Sequence, residues 1–199
     1  MSDSPVDPSR RTWVAITAGA GALGGIAVAV PFISSITPSE RAKAAGAAVE
    51  ADISGLKPGE KMTVEWRGKP VWIVRRTKEQ LDNLNKLDSQ LVDPKSKRKS
   101  DELTPTYARN EYRSIKPEYL VAVGICSHLG CSPSEKFTPG AQPSLPDDWQ
   151  GGFLCPCHGS TFDMAGRVFK NKPAPDNLEV PPHFYLSDSR LLIGEDKKA

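Results

Sequence analysis

Two short stretches hold nearly all the side chains of this sequence that could bind metal or do redox chemistry. They are Cys126-Ser-His128-Leu-Gly-Cys131 and Cys155-Pro-Cys157-His158-Gly-Ser160-Thr161, and they contain all four cysteines and two of the three histidines. Thiolate and imidazole are ligands for zinc, copper and iron centres, and paired thiols also close disulfides. Three chemistries therefore compete. Two disulfides suit an oxidising compartment but leave a histidine beside each pair unexplained. A zinc site of mixed ligands takes four of the six candidates. The third arrangement uses all six, with one Cys and one His from each box on a metal centre and the remaining cysteines joined between the boxes.

Both boxes need rigid elements to carry them. Tyr119-Leu-Val-Ala-Val-Gly-Ile125 reads as a buried strand running into Cys126, and Gly152-Phe153-Leu154 runs likewise into Cys155. Met62–Trp66 and Pro70–Arg75 read as a hairpin turned at Arg67-Gly68-Lys69, and Phe184–Leu186 with Arg190–Ile193 as another around Ser187-Asp-Ser189. Leu81, Leu84 and Leu87 lie at helical spacing behind Thr77 and Gln80, a capping-box pattern. Residues 93–118, with Pro94, Pro105 and Pro117 and the basic run Lys95–Lys99, read as an exposed polar excursion. The expected fold is a small, mostly β, antiparallel domain.

The amino end is different. Thr12 to Ser39 contains no charged residue, and the apolar stretch to Ile36 is about 25 residues long, more than the ~20 needed to cross a bilayer. A cleaved signal peptide would have a shorter apolar region and an Ala-x-Ala-like end, so a retained anchor is expected. Gly21 and Gly25 would permit close approach of a neighbouring helix, and Pro31 would kink the last turns. Ser9-Arg10-Arg11-Thr12-Trp13 resembles a twin-arginine export address, which places the amino end in the cytoplasm and the rest in the periplasm. The expected divisions are 1–11 cytoplasmic, 12–36 transmembrane, 37–51 flexible hinge or linker, and 52–199 a periplasmic domain with binding loops at 126–131 and 155–161. With 26 Lys+Arg against 24 Asp+Glu, the net charge of +2 speaks against a nucleic-acid binder.

Cys-x-His-x-Gly-Cys followed by Cys-x-Cys-His-Gly-Ser resembles the signature of the Rieske [2Fe–2S] family, and both boxes match without a gap. The similarity continues through Gly166-Arg-Val-Phe and Lys172-Pro173-Ala174-Pro175 to Asn177-Leu-Glu-Val-Pro181. The second cysteine in each box, the anchor and the linker make the chain similar to the quinol-oxidising branch of that family, the bacterial cytochrome bc complexes. The resemblance implies a Rieske-type antiparallel β domain with a small cluster-binding subdomain and one [2Fe–2S] cluster. It implies Cys126 and Cys155 on one iron, His128 and His158 on the other, and a Cys131–Cys157 disulfide. His158 is expected to take the quinol hydrogen bond and proton, Ser160 to tune the cluster, and Leu129, Gly130, Pro173 and Pro175 to form a docking tip.

The implied partners are cytochrome b, a membrane-bound c-type cytochrome and ubiquinol, in a dimeric complex of the bacterial inner membrane. Catalysis would belong to the complex rather than to this chain alone. One position departs from the pattern: Phe162 stands where many relatives carry a Tyr whose hydroxyl bonds a cysteine sulfur. The loss of that donor predicts a lower potential than in Tyr-bearing relatives. His183 is expected to pack rather than to ligate, and Asp163, Arg167 and Lys170 to make ordinary polar contacts. Two other functions fit part of the pattern: the Rieske subunit of a periplasmic molybdenum oxidoreductase such as arsenite oxidase, and a structural zinc or disulfide domain.

Overall fold

The computed structural model describes residues 8–39, 46–98 and 103–196. The chain divides into two compact units, residues 1–44 and 45–199.

The first unit is a single helix, α1 (Pro8–Ile36), with no buried side chain. It is long and apolar enough to cross a membrane. The helix begins four residues before the expected apolar span. Proline suits a first helical position, where the missing N–H has no intrahelical partner, so Arg10 and Arg11 stand within the helix rather than ahead of it. The helix runs on past Pro31, and the hydroxyls of Ser34 and Ser35 donate to the carbonyls of Pro31 and Phe32 at 2.9 and 2.7 Å.

The second unit is built from three three-stranded antiparallel sheets among its described residues. The first joins β1 (Val49–Asp52) to β9 (Arg190–Ile193) and β9 to β8 (His183–Tyr185). The second is β2 (Lys61–Trp66), β3 (Lys69–Arg75) and β4 (Tyr119–Val123), in that order. The third is β5 (Ser134–Lys136), β6 (Gly152–Leu154) and β7 (Thr161–Asp163).

In the middle sheet β3 and β4 are buried on both faces, which is why they read as unbroken apolar runs. Trp72, Val74, Leu120 and Ala122 face the cluster-loop side with Phe153, Phe162, Met164 and Leu178. Val71, Ile73, Val121 and Val123 face the other way, onto Ile53, Trp66, Leu191 and Ile193. Trp72 stacks on Phe153 with ring centroids 4.9 Å apart, joining the middle sheet to the third.

Several boundaries differ from the sequence expectation. Val49 to Ala51, placed in the linker by composition, belong to strand β1, because Val49 and Ala51 pair opposite Ile193 and Leu191. Residues 40–45 of the expected hinge lie outside the described residues. The first hairpin turns on Arg67 and Gly68 alone, both at positive φ, and Lys69 pairs with Trp66. Helix α2 (Lys78–Leu84) starts at the expected capping box, with Thr77 Oγ1 accepting from Gln80 N at 3.2 Å and Gln80 Oε1 accepting from Thr77 N at 2.9 Å. It gives way to a 3-10 turn over Asn85–Gln90.

The excursion over 93–118 is only partly exposed: Asp93, Ser96, Thr104, Ala108, Arg113 and Ser114 are buried. Its polarity misled because these groups find hydrogen-bond partners inside the domain. Lys95, Lys97 and Arg98 of the basic run are exposed, as expected, while Lys99 lies outside the described residues. Gly152, at φ +150°, lies so close to β7 that a Cβ would run into the Phe162 carbonyl. Glycine therefore lets β6 and β7 pair just before the second box.

His183 is buried in β8, with Nδ1 2.8 Å from the Pro181 carbonyl and an edge-on contact to the Tyr107 ring. Burial lowers its pKa below the usual 6.5, against smaller opposing effects of the Pro181 hydrogen bond and Asp196. The unfolded chain therefore takes up this proton first as pH falls, and folding stability drops below about pH 6.5. Thermal unfolding of the full chain from pH 7.5 to 5.5 is expected to show this decline, and His183→Asn to flatten it.

Candidate metal centre

β4 delivers the first box and β6 the second, and each box closes on its own backbone. Gly130 N donates to Cys126 O at 3.1 Å and Cys126 N to Cys131 O at 2.8 Å. In the second box Gly159 N donates to Cys155 O at 3.0 Å and Cys155 N to Ser160 O at 2.7 Å. Gly130 and Gly159 both have positive φ, +82° and +71°, so the two loops turn alike. A disulfide between Cys131 and Cys157 ties them together.

That bond settles which cysteines are free. Cys126 and Cys155 remain as buried thiols. The sulfurs of Cys131, Cys155 and Cys157 lie within 4.8 Å of one another, but two of them are bonded together, so only Cys155 of that trio is open to a metal. Burial pushes the Cys126 thiol up; its backbone neighbour His128 and the Ser160 hydroxyl pull the other way, while Cys155 adds to the rise. Two adjacent buried sulfurs become thiolates only if a cation joins them.

The rings of His128 and His158 meet edge to face, with centroids 4.7 Å apart. Nδ1 of His128 is buried without a hydrogen-bond partner, whereas His158 is exposed. Two thiols and an unpartnered imidazole nitrogen fit a metal centre far better than a structural core. The donor set, two sulfurs and two imidazoles, matches that of a Rieske-type [2Fe–2S] cluster.

A third loop completes the site. Ala174 N donates to Ser160 Oγ at 3.0 Å, which leaves the Ser160 hydroxyl proton free to point elsewhere. Ser127 Oγ donates to the Asp176 carbonyl at 2.6 Å and accepts from Asp176 N at 3.3 Å, tying the proline loop to the first box. His158 is exposed, and so are Leu129 (71%) of the first box and Pro173 and Pro175 of the proline loop, while Ala174 between the prolines is buried. Phe162 is wholly buried and bears no hydroxyl.

Sequence reading expected polar contacts of Asp163 and Arg167 but missed the rest of the polar frame behind these loops. Asn177 donates to Asp93 O at 2.9 Å and accepts from Val168 N at 2.9 Å, so the proline loop leans on the 93–98 segment. Asp163 and Arg167 form a fully buried ion pair at 2.7 Å. An Asn and an Asp directly after two prolines were the available signal, since such residues bond to nearby backbone.

The disulfide spans a sequence separation of 26 residues, and loop closure of that length is worth about 3.5 kcal/mol. Replacing Cys131 and Cys157 together by Ser is expected to lower the unfolding free energy by an amount of this order. Denaturant titration of the full chain in detergent measures it.

A family model described as the Rieske [2Fe–2S] domain matches residues 89–182. The ubiquinol–cytochrome c reductase iron–sulfur subunit of Allochromatium vinosum is 57% identical over 189 residues, covering 94% of this chain and 89% of that protein. Its namesake in Bradyrhizobium diazoefficiens is 39% identical over 189 residues, with 94% and 95% covered. In Blastochloris viridis the figures are 39% over 195 residues, with 97% of each chain covered. Since it shares 39–57% identity with these proteins over nearly the full length, the chain belongs to the Rieske [2Fe–2S] family, among the ubiquinol–cytochrome c reductase iron–sulfur subunits.

Proposed function

We propose that this chain is the iron–sulfur subunit of a bacterial cytochrome bc complex, taking one electron and one proton from ubiquinol and passing the electron to a membrane-bound c-type cytochrome. The observation that carries this reading is the pairing of a buried ligand set with an exposed histidine at an apolar tip. Cys126, His128, Cys155 and His158 hold the [2Fe–2S] cluster in it. When bound, the cluster supplies a one-electron carrier whose potential is raised by imidazole in place of two thiolates.

The chain's own residues do the rest. His158, exposed as Leu129, Pro173 and Pro175 are, accepts the quinol hydrogen bond and takes its proton. The three apolar side chains exclude water around that bond once seated against a partner. The Cys131–Cys157 disulfide keeps the two loops from separating when the centre is reduced. The Ser160 hydroxyl donates toward the sulfur of the centre and favours the more negative, reduced state. Helix α1 anchors the subunit in the inner membrane as a single pass, with the 45–199 unit in the periplasm, and residues 37–48 form the tether. Cytochrome b and the c-type cytochrome are its partners within a dimeric complex.

An EPR-monitored redox titration of the full-length protein in detergent tests the reading. A rhombic Rieske signal is expected, with a potential that falls at higher pH by up to about 59 mV per pH unit for each coupled proton. A pH-independent potential removes the proton role of His158, and iron-replete protein without a signal returns the site to zinc. Phe162→Tyr is expected to raise the potential by roughly 50 mV, because one added hydrogen bond to sulfur is worth ~1 kcal/mol. An unchanged potential would show that Phe162 only packs.

A further inference from the structure

Arg113 lies in the 93–118 segment, well away in sequence from either box, and it is wholly buried. Burial draws it down to about 10, against the pull of Asp163, so it stays cationic at neutral pH. Among the described residues it makes no carboxylate contact; its donors go to neutral oxygens. Nη1 donates to the carbonyls of Ala165 and Gly166 at 3.0 and 3.2 Å, and Nη2 to the Leu178 carbonyl and Thr104 Oγ1 at 2.7 and 2.8 Å. Its Nε has no partner at all. Burying a cation among neutral groups is costly, and an apolar side chain would fill the same space more cheaply. Such a group is better explained by what it holds than by the stability it adds.

What it holds are two segments that lead back to the centre. Ala165 and Gly166 follow β7, which starts directly after Ser160; Leu178 closes the proline loop that contains Ala174. Leu178 N also donates to Gly166 O at 2.9 Å, so the guanidinium sits where the two segments meet. Their other ends meet in the Ala174 N to Ser160 Oγ hydrogen bond. From this geometry we infer that Arg113 is a positioning residue for the iron–sulfur centre: it fixes the spacing of the β7 turn and the proline loop, and so aims the Ser160 hydroxyl at the cluster sulfur. A planar fork reaches carbonyls of both segments at once, and a single ammonium cannot.

The inference rests on the proposed tuning role of Ser160, and a double-mutant cycle separates the two. Arg113→Lys, Ser160→Ala and the double variant are made in the full chain, and midpoint potentials are read by EPR titration. Ser160→Ala is expected to lower the potential, Arg113→Lys to lower it by a smaller amount, and the double variant to match Ser160→Ala alone. Thr104→Val removes one acceptor from Arg113 with little change in shape, and is expected to shift the potential the same way. An unchanged potential in Ser160→Ala overturns the tuning role. A shift there with none in Arg113→Lys and Thr104→Val overturns the positioning role, as does a shift from Arg113→Lys that persists undiminished without the Ser160 hydroxyl.

Discussion

Everything in the 45–199 unit answers to one requirement: two loops far apart in the chain must bring two thiols and two imidazoles to one place and keep them there. Neither loop has a hydrophobic core of its own. The Cys131–Cys157 disulfide joins them covalently, and each loop is closed on itself by backbone hydrogen bonds to its first cysteine. The strands behind them are buried on both faces, so the loops hang from the least deformable part of the domain. A binding loop gains its precision from the rigid element that carries it.

The polar frame behind the loops shows a division of labour. Apolar packing sets where the strands lie, but it is non-directional and cannot fix a hydroxyl to a fraction of an ångström. Directional bonds do that here: Ser160 with Ala174, Ser127 with Asp176, Asn177 with Asp93 and Val168. These bonds cross between segments far apart in sequence, which explains why the excursion over 93–118 is folded into the domain rather than left in solvent. Its buried Arg113 bonds to Ala165, Gly166 and Leu178, and its Asp93 accepts from Asn177, so the segment is tied to the loops behind the centre.

The exposed side of the centre has the opposite character. His158, Leu129, Pro173 and Pro175 remain open, and Leu129 is among the few large apolar side chains exposed in this unit. In the proposed function, burial of the sulfur side with exposure of one imidazole separates two tasks, holding the centre and exchanging protons and electrons with partners.

Much of this was legible in the residues themselves. Cysteine and histidine narrowed the chemistry to disulfides or a metal centre, because ligand type is a local property of side chains, and the resemblance to the Rieske family chose among them. Unbroken apolar runs marked β3 and β4, and Thr77 with Gln80 marked the start of α2, because burial on two faces and helix capping both act within a few residues. A lack of charge over about 25 residues marked the anchor. Other features depended on partners distant in the chain. Val49–Asp52 became a strand only because β9 offered an edge. The polar segment 93–118 went inside because the carbonyls of Ala165, Gly166 and Leu178 accept from its arginine, Arg113. Composition records what a segment could bond to, and only the folded chain decides whether that partner is water or protein.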